Sequence, residues 1–264
     1  MATHTQTVLV TPELAQEYLD RNTHNRKLRK TRTEKLARDM RAGNWRETHQ
    51  GIAFDESGTL LDGQHRLAAV AESGCSLRML VTWGVQRESQ VNMDDHAPRS
   101  FADALSLAGV GDGSITNRTV ATARCMMRAG RAGGTNTVTK DELASFIEDH
   151  AEAIGFAEDC FRGHNKKLVS APIKAAIAVA LYHEDAERLR HFAQVYGSGM
   201  GEGVQDSAAI VLRNHVYADP SQTRAEAGRA LLYKKTLRAI KYFVNRAKTS
   251  RVTSQGEAAY TLPA

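Results

Sequence analysis

The sequence predicts an α+β fold in two parts: a compact mixed domain over residues 1–100, followed by an all-α domain over residues 101–264. Three observations carry this. Short apolar runs alternate with short helical periodicities up to about residue 100, and beyond Phe101 only helical periodicities remain. Glycine-rich boundaries at 109–113, 130–134 and 197–203 then cut the second half into separate helices.

Thr7–Val10 is a predicted strand that ends at Thr11-Pro12, a helix start with Thr11 as cap and Pro12 in the first helical position; that helix runs to about Asp20. A basic stretch follows, and helical spacing resumes from Thr33 to Met40 and stops at Gly43. Gln50–Phe54 and Thr59–Leu61 are strands joined by a turn at Asp55–Gly58, after which a helix ends at Gly74 and Leu77–Trp83 forms a buried strand. In the second half the helical stretches are about 101–109, 115–130, 139–162, 171–196, 205–217 and 222–248. Thr139 with Glu142 makes a capping box, and Ser170 before Ala171-Pro172 marks another start. The tail after Ser250 has no periodicity and is expected to fray.

The most informative segment is Leu60–Val70. A short apolar strand ends in Asp62-Gly63, and a helix begins at once with Gln64, His65 and Arg66 in its first turn, where unpaired backbone N–H groups and the positive dipole end favour an anion. A purely structural account competes with this one: Asp62 as N-cap, Gly63 serving the turn, Arg66 paired with a carboxylate. It explains each residue singly. It does not explain why three hydrogen-bonding side chains share one helix start, and the group Gly63, Gln64, His65 and Arg66 is therefore the candidate phosphate site.

These residues also carry a family resemblance. Leu61-Asp-Gly-Gln-His-Arg-Leu-Ala-Ala69 resembles the signature of the ParB/sulfiredoxin-like superfamily, in the variant with Asp-Gly-Gln-His-Arg at its centre. The likeness extends upstream through Asn25-Arg26, Thr33–Met40 and Gly43-Asn44-Trp45, continues through Ile52–Asp55, and is weaker at Met93-Asp94 and Pro98-Arg99-Ser100. It implies a nucleoside triphosphate, ATP or CTP, held with Mg²⁺ by Gly63, Gln64, His65, Arg66 and Arg99, with Asn25 and Arg26 against the nucleotide. It further implies Asp62 and His65 as catalytic groups, Asp62 accepting a proton from an acceptor hydroxyl or ligating the metal. Members of the superfamily bind, hydrolyse or transfer phosphate, so the family alone does not fix an activity. Sulfiredoxin chemistry is disfavoured, because Gln64 stands where those proteins carry Cys and Cys75 comes only after the helix. His96 also departs from the family pattern, which has Gly there.

Charge points to a polyanion. The net charge is +5, but between Arg21 and Arg46 the basic residues include Arg26, Lys27, Arg29, Lys30, Arg32, Lys35, Arg38 and Arg41 against Glu34 and Asp39 alone. A second basic cluster runs from Arg224 to Arg251. Lys27, Arg29 and Lys30, and on the last helix Lys234, Arg238 and Lys241, are accordingly candidate DNA contacts. On that helix Leu231, Leu232, Leu237, Ile240, Phe243 and Val244 supply an apolar face for docking.

Other chemistries find less support. His183, Glu187 and His191 share one helical face, but the two histidines are two turns apart, about 12 Å, which is too far for one ion. Met93-Asp94-Asp95-His96 with Arg99 could close over a nucleotide or ligate a metal, yet adjacent loop side chains need not converge. The glycine run 197–203 lacks Gly-Lys-Ser/Thr, and neither Gly-x-Ser-x-Gly nor His-Glu-x-x-His occurs. Cys75, Cys125 and Cys160 are too few and too widely spaced for a disulfide framework. No apolar run approaches the length of a membrane span and no signal peptide is evident, so the expected setting is the cytoplasm, with no membrane partner.

The functional expectation is thus a ParB-like nucleotide-binding protein acting at or on DNA by NTP hydrolysis or phosphoryl transfer. The alternatives are a non-catalytic DNA-binding clamp or adaptor and, less supported for want of a carboxylate-lysine constellation, a ParB-like nuclease. The resemblance suggests a bacterial or phage-infected host cell and leaves room for a homodimer.

Overall fold

The computed structural model describes residues 2–23, 25–92, 100–110, 115–130, 138–165, 167–219, 225–255 and 260–263. The chain divides into two compact units, Met1–Pro98 with Thr137–Asp141, and Arg99–Asn136 with Glu142–Ala264.

The first unit is built on β1 (His4–Val10), β2 (Ile52–Asp55), β3 (Leu60–Asp62) and β4 (Leu77–Val85), with helices α1 (Pro12–Asp20), α2 (Lys30–Arg41) and α3 (Gln64–Ser73). The sheet order is β1-β4-β2-β3. β1 lies antiparallel to β4 from His4 opposite Trp83 to Val10 opposite Leu77, whereas β2 runs parallel to β4 with Ile52 opposite Val81. Between these two parallel strands the chain makes β3 and α3, so the sheet delivers Asp62 directly to a helix start.

Local chemistry sets each boundary. Thr11 caps α1 by accepting the Leu14 N–H at 3.2 Å, and Pro12 occupies the first turn. The Asp55 carboxylate closes the β2–β3 hairpin, accepting the N–H groups of Ser57 at 2.9 Å and Thr59 at 2.8 Å and the Ser57 hydroxyl at 2.6 Å. α3 stops where Gly74 turns left-handed, φ 72°, and its N–H returns to the Val70 carbonyl. The core beneath joins Val10, Ile52, Phe54, Leu60, Met79 and Val81 of the sheet to Leu67 and Val70 of α3 and to Ala15, Ala37 and Met40. Burying a side chain the size of Leu67 contributes about 1.5–3 kcal/mol.

The second unit is helical: α4 (Phe101–Leu107), α5 (Asn117–Gly130), α6 (Lys140–Asp149, which straddles the division), α7 (Ala151–Cys160), α8 (Ala171–Ala180), α9 (Ala186–Ser198), α10 (Ser207–Ala218) and α11 (Glu226–Val244). α8 is the centre. Every residue from Pro172 to Ala180 is buried, as expected of a helix apolar on nearly all sides, and α5, α7 and α11 pack around it.

The structure corrects three sequence expectations here. The stretch 139–162 is two helices divided at His150 (φ −117°, ψ 20°). The stretch 171–196 is also two, because the Ala180 carbonyl receives the N–H groups of both His183 and Glu184, and Asp185 then caps α9 by accepting the Arg188 N–H at 3.0 Å. His183 therefore precedes the helix that carries Glu187 and His191. The tail does not fray over its described part: Val252 and Tyr260 are buried, and the Tyr260 hydroxyl donates to Glu184 at 2.7 Å.

Among the described residues no helix is long and apolar enough to cross a membrane. The three cysteines are free, and burial raises the Cys160 thiol to a pKa of about 11, which keeps it protonated and inert.

Candidate functional site

The site begins with the backbone of Gly63. Its φ of 103° and ψ of 0° are available to few residues other than glycine, and a Cβ there would lie 3.0 Å from Ile52 Cγ1 and 3.1 Å from Ile52 Cα. Gly63 is the N-cap of α3, and its carbonyl accepts the Leu67 N–H at 3.0 Å. A glycine cap has no side chain, and no side chain caps α3. Asp62 is thus one residue too early to be the cap; its Oδ1 accepts the Gly63 N–H at 2.6 Å. Its other oxygen lies 3.5 Å from Arg66 Nη1, and the carboxylate stays about half-exposed.

Arg66 is more buried than Asp62 and donates from Nη1 to the Gly51 carbonyl at 2.5 Å. Sequence reasoning missed Gly51. A Cβ there would fall 2.0 Å from the Leu80 carbonyl oxygen, so only glycine lets the chain pass this close to β4 and present its carbonyl to Arg66.

Gln64 and His65 are both buried and face the loop between α1 and α2. Gln64 accepts from Asn22 Nδ2 at 3.1 Å and donates to the Arg26 carbonyl at 3.0 Å. His65 Nε2 accepts the Arg29 backbone N–H at 3.0 Å, which leaves Nδ1 as the proton-bearing nitrogen. Asn25 completes the lacing, donating to Asn22 Oδ1 and to the Leu60 carbonyl, both at 2.7 Å. Burial holds the His65 pKa below the ordinary histidine value, and the nearby guanidiniums of Arg32, Arg26 and Arg29 lower it further against the opposing effect of Asp62. Sequence placed Arg32 only among the cations that could track a DNA backbone, because nothing in its spacing says that the first turn of α2 faces His65.

The structure thus brings Asn25, Arg26, Arg29 and Arg32 to the Asp62–Arg66 segment, but it commits the Gln64 and His65 side chains to the loop instead of leaving them to converge on one ligand atom. Lys27 and Lys30 are exposed, Lys30 lying 3.8 Å from Glu34. Arg99 and the Met93–His96 cluster lie outside the described residues. No group of three or more His, Cys, Asp or Glu among the described residues could hold a metal ion.

On α11 the predicted basic face is divided. Lys234 is exposed, Arg238 is half-buried and donates to Thr253 Oγ1 at 3.2 Å, and Lys241 lies 3.6 Å from Glu184 and 5.1 Å from the centre of the Tyr260 ring. Arg238 and Lys241, two of the three cations expected to face DNA, thus have partners in the C-terminal segment, Thr253 and Tyr260.

Comparison with protein-family models, curated proteins and solved structures finds no match to this chain.

Proposed function

We propose that the chain is a ParB/sulfiredoxin-like nucleotide-binding protein that works at DNA and holds the phosphates of ATP or CTP at the start of α3. One observation carries the reading: Gly63 leaves the first turn of α3 without a side-chain cap, and the neighbouring loop and α2 bring Arg26, Arg29 and Arg32 close enough to that turn to oppose protonation of His65.

In this reading the backbone N–H groups of Gln64, His65 and Arg66 donate to phosphate oxygens, and the guanidiniums of Arg26, Arg29 and Arg32 neutralise their charge. The Gln64 and His65 side chains serve indirectly, by fastening the basic loop beside the helix start. Asp62 suits the role of general base, being half-exposed and fixed by the Gly63 N–H. It also fits as the single protein ligand of Mg²⁺, with phosphates and water as the remaining ligands; the ion, when bound, would supply further charge neutralisation. Exposed Lys27, Lys30 and Lys234 would meet DNA phosphates.

The test is equilibrium binding of labelled ATP, CTP, ADP and GTP with Mg²⁺, followed by chromatographic detection of hydrolysis or transfer. The parent is expected to bind one triphosphate, and Arg29→Glu/Arg32→Glu to bind it at least about tenfold more weakly, since two charge-assisted contacts become repulsive. A folded parent that binds none of the four overturns the proposal. Binding without turnover, unchanged by DNA, assigns a clamp or adaptor in place of an enzyme.

A further inference from the structure

Within the second unit, α4, α5 and α11 line a cleft, open to solvent on one side, of about 250 Å³ whose lining includes Phe101, Val120, Arg124, Cys125, Arg128 and Arg229. Three guanidiniums meet there. Arg128 is ion-paired with Glu226 at 3.1 Å, Arg229 donates to the Cys125 sulfur at 3.9 Å, and the Arg124 guanidinium carbon stacks 4.1 Å from the centre of the Phe101 ring. Glu226 is the one carboxylate ion-paired with any of them among the described residues. Cys125 supplies no compensating charge, because burial raises its pKa and it remains a thiol. Burial and the neighbouring Arg128 also lower the Arg124 pKa, which is the mark of a cation held at a cost beside another cation.

We propose that this cleft is a binding site for a small phosphate monoester. The two guanidiniums without a carboxylate partner among the described residues, Arg124 and Arg229, match the charge of a phosphate dianion, and their planar forks match its oxygens two at a time. The space exceeds what a bare phosphate needs, being that of about eight waters at roughly 30 Å³ each. The remainder is walled by Phe101 and Val120, against which an apolar or planar ester group would lie. This site is separate in residues from the start of α3 and does not depend on the nucleotide reading.

The test uses the full chain and three probes, phenyl phosphate, inorganic phosphate and benzoate, by titration calorimetry. Phenyl phosphate is expected to bind the parent more tightly than either other probe. Arg124→Gln/Arg229→Gln should weaken it by about tenfold or more, whereas Lys167→Gln, at an exposed lysine outside the lining, should bind it as the parent does. In the unsubstituted parent at alkaline pH, where part of the Cys125 thiol is ionised, phenyl phosphate should also slow its alkylation by iodoacetamide, measured by peptide mass mapping, so the proposal remains testable if the double variant does not fold. No binding at millimolar concentration, benzoate binding as tightly as phenyl phosphate, equal affinity in the folded double variant, or no protection of Cys125 would each overturn it.

Discussion

The imidazole of His65 and the backbone N–H of Arg29 are joined by a 3.0 Å hydrogen bond in which the ring nitrogen accepts. The bond exists only while Nε2 carries no proton. It therefore ties the position of the basic loop to the protonation state of a buried histidine. Burial and the arginines around it favour the neutral ring, so loop and histidine reinforce each other.

The folded-state pKa of His65 lies below its unfolded value, so its contribution to stability is present above the unfolded pKa of about 6.5 and is lost as the pH falls through the lower, folded value. An NMR titration should place the His65 ring below an exposed histidine, and exchange of the Arg29 amide should accelerate as the ring protonates. A His65 that titrates at or above 6.5 contradicts the accepting role of Nε2.

Gly63 should tolerate no side chain. Alanine would meet both the left-handed φ and the Ile52 backbone at 3.1 Å, a cost of about 2–4 kcal/mol. Asparagine accepts positive φ more readily but meets the same Ile52 contact, so Gly63→Asn should melt no more than slightly above Gly63→Ala. Chemical denaturation of the two variants checks this, and a large advantage for Asn would mean that the dihedral alone matters.

Asp62→Asn separates folding from chemistry. The amide oxygen can still accept the Gly63 N–H, and the lost ion pair with Arg66 is long and half-exposed, so stability should change by less than about 1 kcal/mol. Nucleotide affinity should persist while turnover disappears, because an amide takes no proton. Turnover equal to that of the parent would leave Asp62 with only its bond to Gly63.

These outcomes also mark what the sequence could say. The signals at Thr11-Pro12, Gly43, Asp55–Gly58 and Gly74 are local, and the elements they bound lie within a few residues of expectation. The Asp-Gly-Gln-His-Arg segment was visible as a helix start for the same reason. Its side-chain partners were not, since Gln64 meets groups 38 and 42 residues away. Gly51 was invisible because the atom that excludes a side chain is the Leu80 carbonyl across the sheet. The breaks at His150 and after Ala180 carry neither Gly nor Pro, and one continuous periodicity masked them. The docking of Val252 and Tyr260 rests on two isolated side chains, too few to form a pattern.

The basic residues of α11 should part company under charge reversal. Lys241 sits between Glu184 and the Tyr260 ring, and burial together with the Glu184 hydrogen bond keeps the Tyr260 hydroxyl protonated as a donor. Lys241→Glu therefore sets two carboxylates against each other beneath the C-terminal segment. It should lower the melting temperature and expose Tyr260 to solvent, whatever DNA does. Lys234 has no such duty and is exposed, so Lys234→Glu should leave melting within about 0.5 kcal/mol of the parent. If Lys234 contacts a DNA phosphate, its reversal should weaken binding to unrelated sequences alike and reduce the slope of log affinity against log salt by about 0.9. Tyrosine fluorescence, melting and DNA titrations at several salt concentrations separate the two effects. Parent-like melting in Lys241→Glu would refute the docking role, and an unaltered salt slope in Lys234→Glu would remove α11 from the DNA surface.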